Sequence, residues 1–321
     1  MSHYSHLTQA ERYQISSLLK ANCSKTEIAS ILNRHKSTIG REIKRNTGKR
    51  GYRPKQAGSL SIERKSNNAN KITDFCWAYV THLIKKKYSP EQVNGRLKLD
   101  GWDKVPSIER IYQFIYTAAR ENKTSLREHL RCQKQRRKRY NSGQNRRGKI
   151  VNRVDIDKRP EVANTRSRLG DFEGDTIVGN KHKGVLVTLV DRKSLELKMK
   201  PLPRKLSTQV INACIDKLKN EIAHTLTFDN GLEFAKHEMI TNSIGTEIYF
   251  AKPYRSWERG TNENTNGLIR QYYPKSMQLD QLTDVEVQVV EDALNNRPRK
   301  KLGFLTPLEV KSRDWSVALQ Y

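Results

Sequence analysis

Apolar positions in the first 46 residues recur at helical spacing in three short stretches. Ile15, Leu18 and Leu19 share one face of a helix that Thr8 and Glu11 open with capping-box spacing. Ser24 and Glu27 repeat the box ahead of Ile28, Ala29, Ile31 and Leu32. After Asn33-Arg34-His35, Ser37 is predicted to cap a third helix that carries Ile39 and Ile43 to about Arg45. Two capped helices joined by so short a turn predict a helix-turn-helix over residues 1–46. Its outward face would carry Lys36, Ser37, Thr38, Arg41 and Lys44 towards DNA. Residues 47–70 lose the period and gain Gly, Ser and Asn, which predicts a linker. A second helical unit is expected over 71–120. One helix runs from Lys71 to about Lys87, another opens at Ser89-Pro90-Glu91-Gln92, and a third opens at Pro106-Ser107 with Ile108, Ile111, Tyr112, Ile115 and Tyr116. It fits either a second helix-turn-helix or a plain helical spacer.

A basic linker is expected over 121–160, since Arg131 to Lys149 holds nine basic residues and no acidic one. The pattern then changes. Asp171–Val178 and Val185–Asp191 read as strands, the second apolar enough to be buried on both faces. Leu195–Met199 suggests a third strand, stopped by Pro201-Leu202-Pro203. Ser207–Glu221 is an amphipathic helix, Thr225–Phe228 a short strand, Glu233–Thr241 a helix, Glu247–Ala251 a strand, and a long helix starts near Gly260. Strands giving way to alternating helix and strand predict a mixed sheet with helices packed on it, over residues 161–321.

Charge narrows the class of partner. Lys and Arg total 61 against 34 Asp and Glu, a formal charge of +27. A compact chain with that excess repels itself unless a polyanion neutralises it, so nucleic acid is the natural partner. The longest apolar run, Val185–Val190 broken by Thr188, is far shorter than the roughly 20 residues that span a bilayer. Cys23, Cys76, Cys132 and Cys214 are scattered without metal-ligand spacing and read as reduced thiols. No membrane partner is expected, and the anticipated setting is the cytoplasm, on the nucleoid.

Three carboxylates stand out by position. Asp175 lies within a predicted strand, Asp229 where a short apolar strand ends in Asp-Asn-Gly, and Glu263 at a helix start. Ligands of open α/β sheets bind at such strand ends. Taken singly, Asp229 suits a turn, Glu263 suits a helix N-terminus, and Asp171 and Glu173 compete with Asp175 on the same strand face. Converging carboxylates would make a hard oxygen site for Mg²⁺ or Mn²⁺, loose when empty because like charges repel.

The segments GDFEGDTIVG, TFDNGLEF and YRSWERGTNENTNGLIRQYYPK resemble the three catalytic signatures of DDE transposases of the insertion-sequence-thirty family. Thirty-three residues separate Asp229 from Glu263, similar to that family, and Arg270 falls two helical turns after Glu263. The resemblance extends to STIGREIKRN and NNRPRKKLGFLTPLEV; Phe172 departs where many relatives carry tryptophan. It implies a multidomain protein: an all-α helix-turn-helix region followed by an α/β, RNase H-like catalytic domain shared with retroviral integrases. It further implies that Asp175, Asp229 and Glu263 hold two ions, Mg²⁺ or Mn²⁺, and that Trp257, Asn262, Asn264 and Arg270 position DNA. The implied chemistry is hydrolysis that frees a 3′-OH, then attack of that hydroxyl on another phosphodiester. The substrates would be double-stranded DNA, both terminal inverted repeats and target, held by a homodimer or larger assembly. A non-enzymatic DNA-binding regulator would explain the charge and the helix-turn-helix but leave the carboxylates idle. A nuclease that hydrolyses without joining is a third possibility.

Overall fold

The computed structural model describes residues 5–68, 72–120, 126–131, 150–252 and 260–318, and they fall into two compact units, 1–71 and 72–321. In the first unit α1 (Gln9–Lys20), α2 (Lys25–Ile31) and α3 (Lys36–Asn46) enclose Ile15, Ile28, Ala29 and Ile39. Both expected capping boxes form, at Thr8/Glu11 and Ser24/Glu27. The third cap differs. His35, not Ser37, closes α3, its ring nitrogen accepting the Ser37 N–H at 3.2 Å. An imidazole nitrogen serves as the acceptor that a hydroxyl was expected to supply.

The 47–70 linker is also corrected. A two-residue hairpin, β1 (Thr47–Gly48) and β2 (Gly51–Tyr52), leads into a 15-residue helix, α4 (Pro54–Asn68), that packs on α1. Pro54 stands at the first helical position, where its missing N–H costs nothing. Tyr52 donates to Glu42, which also pairs with Arg12, so the hairpin is tied to the three-helix core.

The second unit begins with α5 (Asp74–Lys85), α6 (Pro90–Leu99) and α7 (Ile108–Arg120) around Val80, Ile84, Val93, Leu97, Ile111 and Ile115. A short helix, α8 (Glu161–Thr165), precedes the sheet. The strands are β3 (Asp171–Val178), β4 (Val185–Asp191) and β5 (Leu197–Leu202), then β6 (Thr225–Phe228) after α9 (Ser207–Leu218). Helix α10 (Glu238–Ile244) leads to β7 (Glu247–Phe250). Helices α11 (Gly260–Ile269), α12 (Asp284–Asn295) and α13 (Pro307–Ala318) follow. The sheet order is β5-β4-β3-β6-β7, with β3, β4 and β5 antiparallel and β6 and β7 parallel to β3. This is the mixed sheet with helices packed on it that the sequence predicts. One apolar layer puts Phe172, Leu226 and Phe228 against α9 and α10, and the other puts Ile177, Leu186 and Met199 against α11 and α12.

Pro201 does not break β5, as expected from sequence, but pairs with Leu186 inside it. On this edge strand the N–H groups of Leu197 and Met199 turn outward and donate to Asn295 and Glu291 of α12. Pro201 is next in that alternate series and has no N–H to satisfy, the one arrangement in which a strand tolerates proline. The 71–120 segment is not a free-standing unit either. Tyr88 donates to Asn296 O and Gln92 to Pro298 O, while Phe304 lies where a side chain on Gly95 would sit. Cys23, Cys76 and Cys214 are free thiols, and Cys132 lies outside the described residues. No described helix is long and apolar enough to cross a membrane.

Candidate functional site

Alternation along β3 sends Asp171, Glu173, Asp175 and Ile177 to the face covered by α11. The first two carboxylates are buried and already have cations. Asp171 accepts two bonds from Arg168, at 2.9 and 3.1 Å, and one from Thr225. Glu173 pairs with buried Arg192, which also donates to Ala163 O. Beside them Arg159 donates to Thr227, and burial drops its guanidinium to about 10. These pairs belong to the packing of the sheet, and they separate Asp175 from its two competitors.

Asp175 is half-buried. Its Oδ2 accepts from Asn266 Nδ2 at 2.7 Å and its Oδ1 from Thr176 N at 2.9 Å. The parallel register pairs Glu173 with Thr227; carried two residues on, it runs from Asp175 to Asp229. Asp229 turns the chain through an Oδ1 bond from Gly231 N at 2.8 Å, the Asx geometry that Asp-Asn-Gly suggests. Asn230 bonds Ala251 O and receives Arg153 Nη1 at 2.5 Å, which fixes the loop after β6 against β7. A further carboxylate, Glu233, accepts from Thr176 Oγ1 at 3.0 Å and pairs with Lys205.

Helix α11 supplies the opposite wall. Glu263, Asn266 and Arg270 are three and seven residues apart and so share a stripe facing β3. Glu263 is exposed and lines a cleft of about 600 Å³ with Thr176, Asn266, Arg270, Lys275 and Arg131. Arg270 is half-buried and donates to Val178 O at 2.9 Å, and burial lowers its pKa. It therefore pins α11 to the end of β3 while lining the cleft. Asn262 is buried and donates to Gly174 O at 3.3 Å, so it positions the helix start. Asn264 is exposed and accepts from Arg131 at 3.0 Å. Trp257 lies outside the described residues.

Among the described residues no three His, Cys, Asp or Glu side chains stand close enough to hold a metal together. Asp175 lies within β3, Asp229 directly follows β6, and Glu263 stands exposed on α11. The donors still suit a hard cation: all are carboxylate or amide oxygens, and the buried Oδ1 of Asn266 has no partner. Sequence reasoning missed Asn266 and Lys275 and met Arg131 only as the first residue of the basic block. For Asn266 a signal was present, since it is three residues beyond Glu263 in a predicted helix.

In the first unit, Lys36, Ser37, Arg41 and Lys44 are exposed on α3, Thr38 is half-buried, and Ile39 and Ile43 turn inward. Arg41 folds back to Ser37, through Ser37 O at 3.1 Å and Ser37 Oγ at 3.0 Å. These donors are satisfied on the surface and can be exchanged for DNA acceptors.

Residues 3–46 match the family described as a helix-turn-helix domain. Over 95% of this chain and 94% of the relative, the sequence is 43% identical to a protein named as the transposase for insertion sequence element IS4351 of Bacteroides fragilis. It is 39% identical to transposase InsI for insertion sequence element IS30A of Escherichia coli K12, over 96% of this chain and 84% of that one. It is 34% identical to the transposase for insertion sequence element IS1086 of Cupriavidus metallidurans, over 96% and 94%. Among solved structures, the catalytic core domain of BIV integrase aligns with a TM-score of 0.38 at 20% identity, covering 47% of this chain and 98% of that chain.

Proposed function

The chain belongs to the insertion-sequence-thirty family of transposases, and from that premise we propose that Asp175, Asp229 and Glu263 hold two Mg²⁺ or Mn²⁺ ions for DNA cleavage and strand transfer. The observation that supports this is the parallel register of β3 and β6, whose last pair, Glu173 with Thr227, precedes Asp175 and Asp229 by two residues each, together with the bond from Asn266 of α11 to Asp175. When bound, the ions would offset phosphate charge and promote both attack by an oxygen nucleophile and departure of the leaving oxygen.

The chain's own groups prepare that site. Asn266 fixes one oxygen of Asp175, so the carboxylate meets its ligand in a single orientation. The Gly231 N–H does the same for one oxygen of Asp229. Arg270 holds the helix that carries Glu263 against the strand that carries Asp175. The exposed α3 residues Lys36, Ser37, Arg41 and Lys44 would read the terminal inverted repeats in the major groove. A dimer or larger assembly would bring two ends together before joining to target DNA.

The test is cleavage and strand transfer on DNA carrying the element's ends, in Mg²⁺. Asp229→Asn should lose on the order of 10³-fold or more in rate, because residues acting as one unit fail together. Metal should also raise the unfolding temperature of the wild-type chain and not of Asp229→Asn. Equal cleavage by both proteins would sink the assignment. Hydrolysis without joining of a pre-cut 3′-OH end would instead favour a nuclease.

A further inference from the structure

Helix α11 presents two adjacent stripes, and only one belongs to the acidic site. The second runs through Asn264, Gly267 and Gln271, again three and seven residues apart. It is coated with cations from other parts of the unit. Arg131 bonds Asn264 Oδ1 at 3.0 Å and Asn264 O at 3.5 Å, and its guanidinium lies where a Cβ on Gly267 would stand. Lys87 donates to Gln271 O at 2.8 Å and sits 3.8 Å over the Tyr272 ring. Arg297, buried, donates to the side-chain oxygens of Gln271 and Gln92 at 2.7 and 2.9 Å.

No carboxylate among the described residues offsets these groups. Arg299, 6% exposed, bonds only Leu294 O and leaves its buried Nε without a partner. Burial foremost, with Arg131 and, for Arg299, Arg297 adding to it, lowers Arg297 to about 10 and Arg299 to about 9. A positive field of this kind is costly to keep, and an anion in the adjoining cleft would relieve it. The cleft itself carries Arg131, Arg270 and Lys275 around the single carboxylate of Glu263.

We propose that Arg131 and Lys275, backed by the Lys87–Arg297–Arg299 cluster, form a phosphate cradle for the DNA strand entering the acidic cleft. It rests on the proposed entry of DNA at this site and adds the groups that hold the backbone there. Gly267 is part of the device, because only an absent side chain lets the Arg131 guanidinium lie flat on α11. Arg131 is exposed at that seat, and its planar fork suits a phosphate better than a lysine would.

The experiment uses the full chain, a random-sequence duplex and EDTA, with affinity measured across a tenfold range of salt. Each lost phosphate contact should lower the slope of log affinity against log salt by about 0.9, which is about eightfold in affinity over that range. Arg131→Gln and Lys275→Gln should each show this loss, and Arg131→Lys should retain the wild-type slope. Gly267→Ala, which unseats Arg131, should follow Arg131→Gln. A slope unchanged in Arg131→Gln, or a loss of equal size in Arg131→Lys, would overturn the proposal. Because metal is absent, failure of the metal assignment would leave these slopes as they are. Full cleavage by Asp229→Asn would then sink that assignment alone.

Discussion

Glu173 and Asp229 lie close together in the sheet, yet substitution should affect them in opposite ways. Glu173 is buried against Arg192, so Glu173→Ala strands a charge in the interior and should cost about 3–5 kcal/mol in urea denaturation. Asp229 stands at a strand end, where an asparagine oxygen can still accept from Gly231 N, so Asp229→Asn should leave metal-free stability within about 1 kcal/mol of wild type while cleavage disappears. A large stability loss in Asp229→Asn, or none in Glu173→Ala, would mean the two roles have been exchanged. Sequence alone could not divide Asp171, Glu173 and Asp175, because all three share one strand face. Of the partners that divide them, Arg168 lies three residues before Asp171, while Arg192 and Asn266 come from other segments of the chain. Asn264 shows the same limit: the resemblance implies that it positions DNA, and its bond to Arg131, from a distant segment, was not legible.

Local signals were readable at the scale of elements, and contacts between distant segments were not. The capping boxes at Thr8, Ser24 and Ser89 and the bounds of β3, β4 and β6 follow from neighbouring residues. The passage of β5 through Pro201 depends on α12 lying beside it, and α4 forms on a surface that α1 provides. The docking of α6 is of this second kind. Gly95 admits the Phe304 ring, so Gly95→Val should lose about 1–3 kcal/mol by overpacking. Adding Phe304→Ala should recover part of that loss, and simple additivity of the two would show they are not in contact. The Arg96–Glu309 pair, 2.7 Å apart, joins α6 to α13. The Arg96 hydrogen bond holds the Glu309 carboxyl below its ordinary 4.5. Its stabilising effect is therefore complete above that value and fades as pH falls through the lowered one. The stability difference between wild type and Glu309→Gln should shrink across that acid window; a difference independent of pH would rule the pair out as its source.

For the molecule as a whole, the helix-turn-helix unit has an apolar core of its own, and the carboxylates belong to the second unit. Residues 1–71 enclose their own apolar centre of Ile15, Ile28 and Ile39, joined by the Arg12–Glu42 and Arg34–Glu11 pairs. Expressed alone, that fragment should fold as a helical domain and still prefer the inverted repeats flanking its reading frame over random duplex. With a formal charge of +27, the full chain should bind both DNAs strongly at low salt, so preference must be measured as a ratio at fixed salt. Arg41 is the residue placed to set that ratio, since its guanidinium rests on Ser37 and can swing to a base edge without breaking the fold. Arg41→Ala should reduce discrimination by about 1–3 kcal/mol and change random-duplex affinity much less. Equal loss on both DNAs would make Arg41 a backbone contact and leave Lys36, Ser37 and Lys44 to do the reading. A fragment with no preference at all would move sequence recognition out of the first unit altogether.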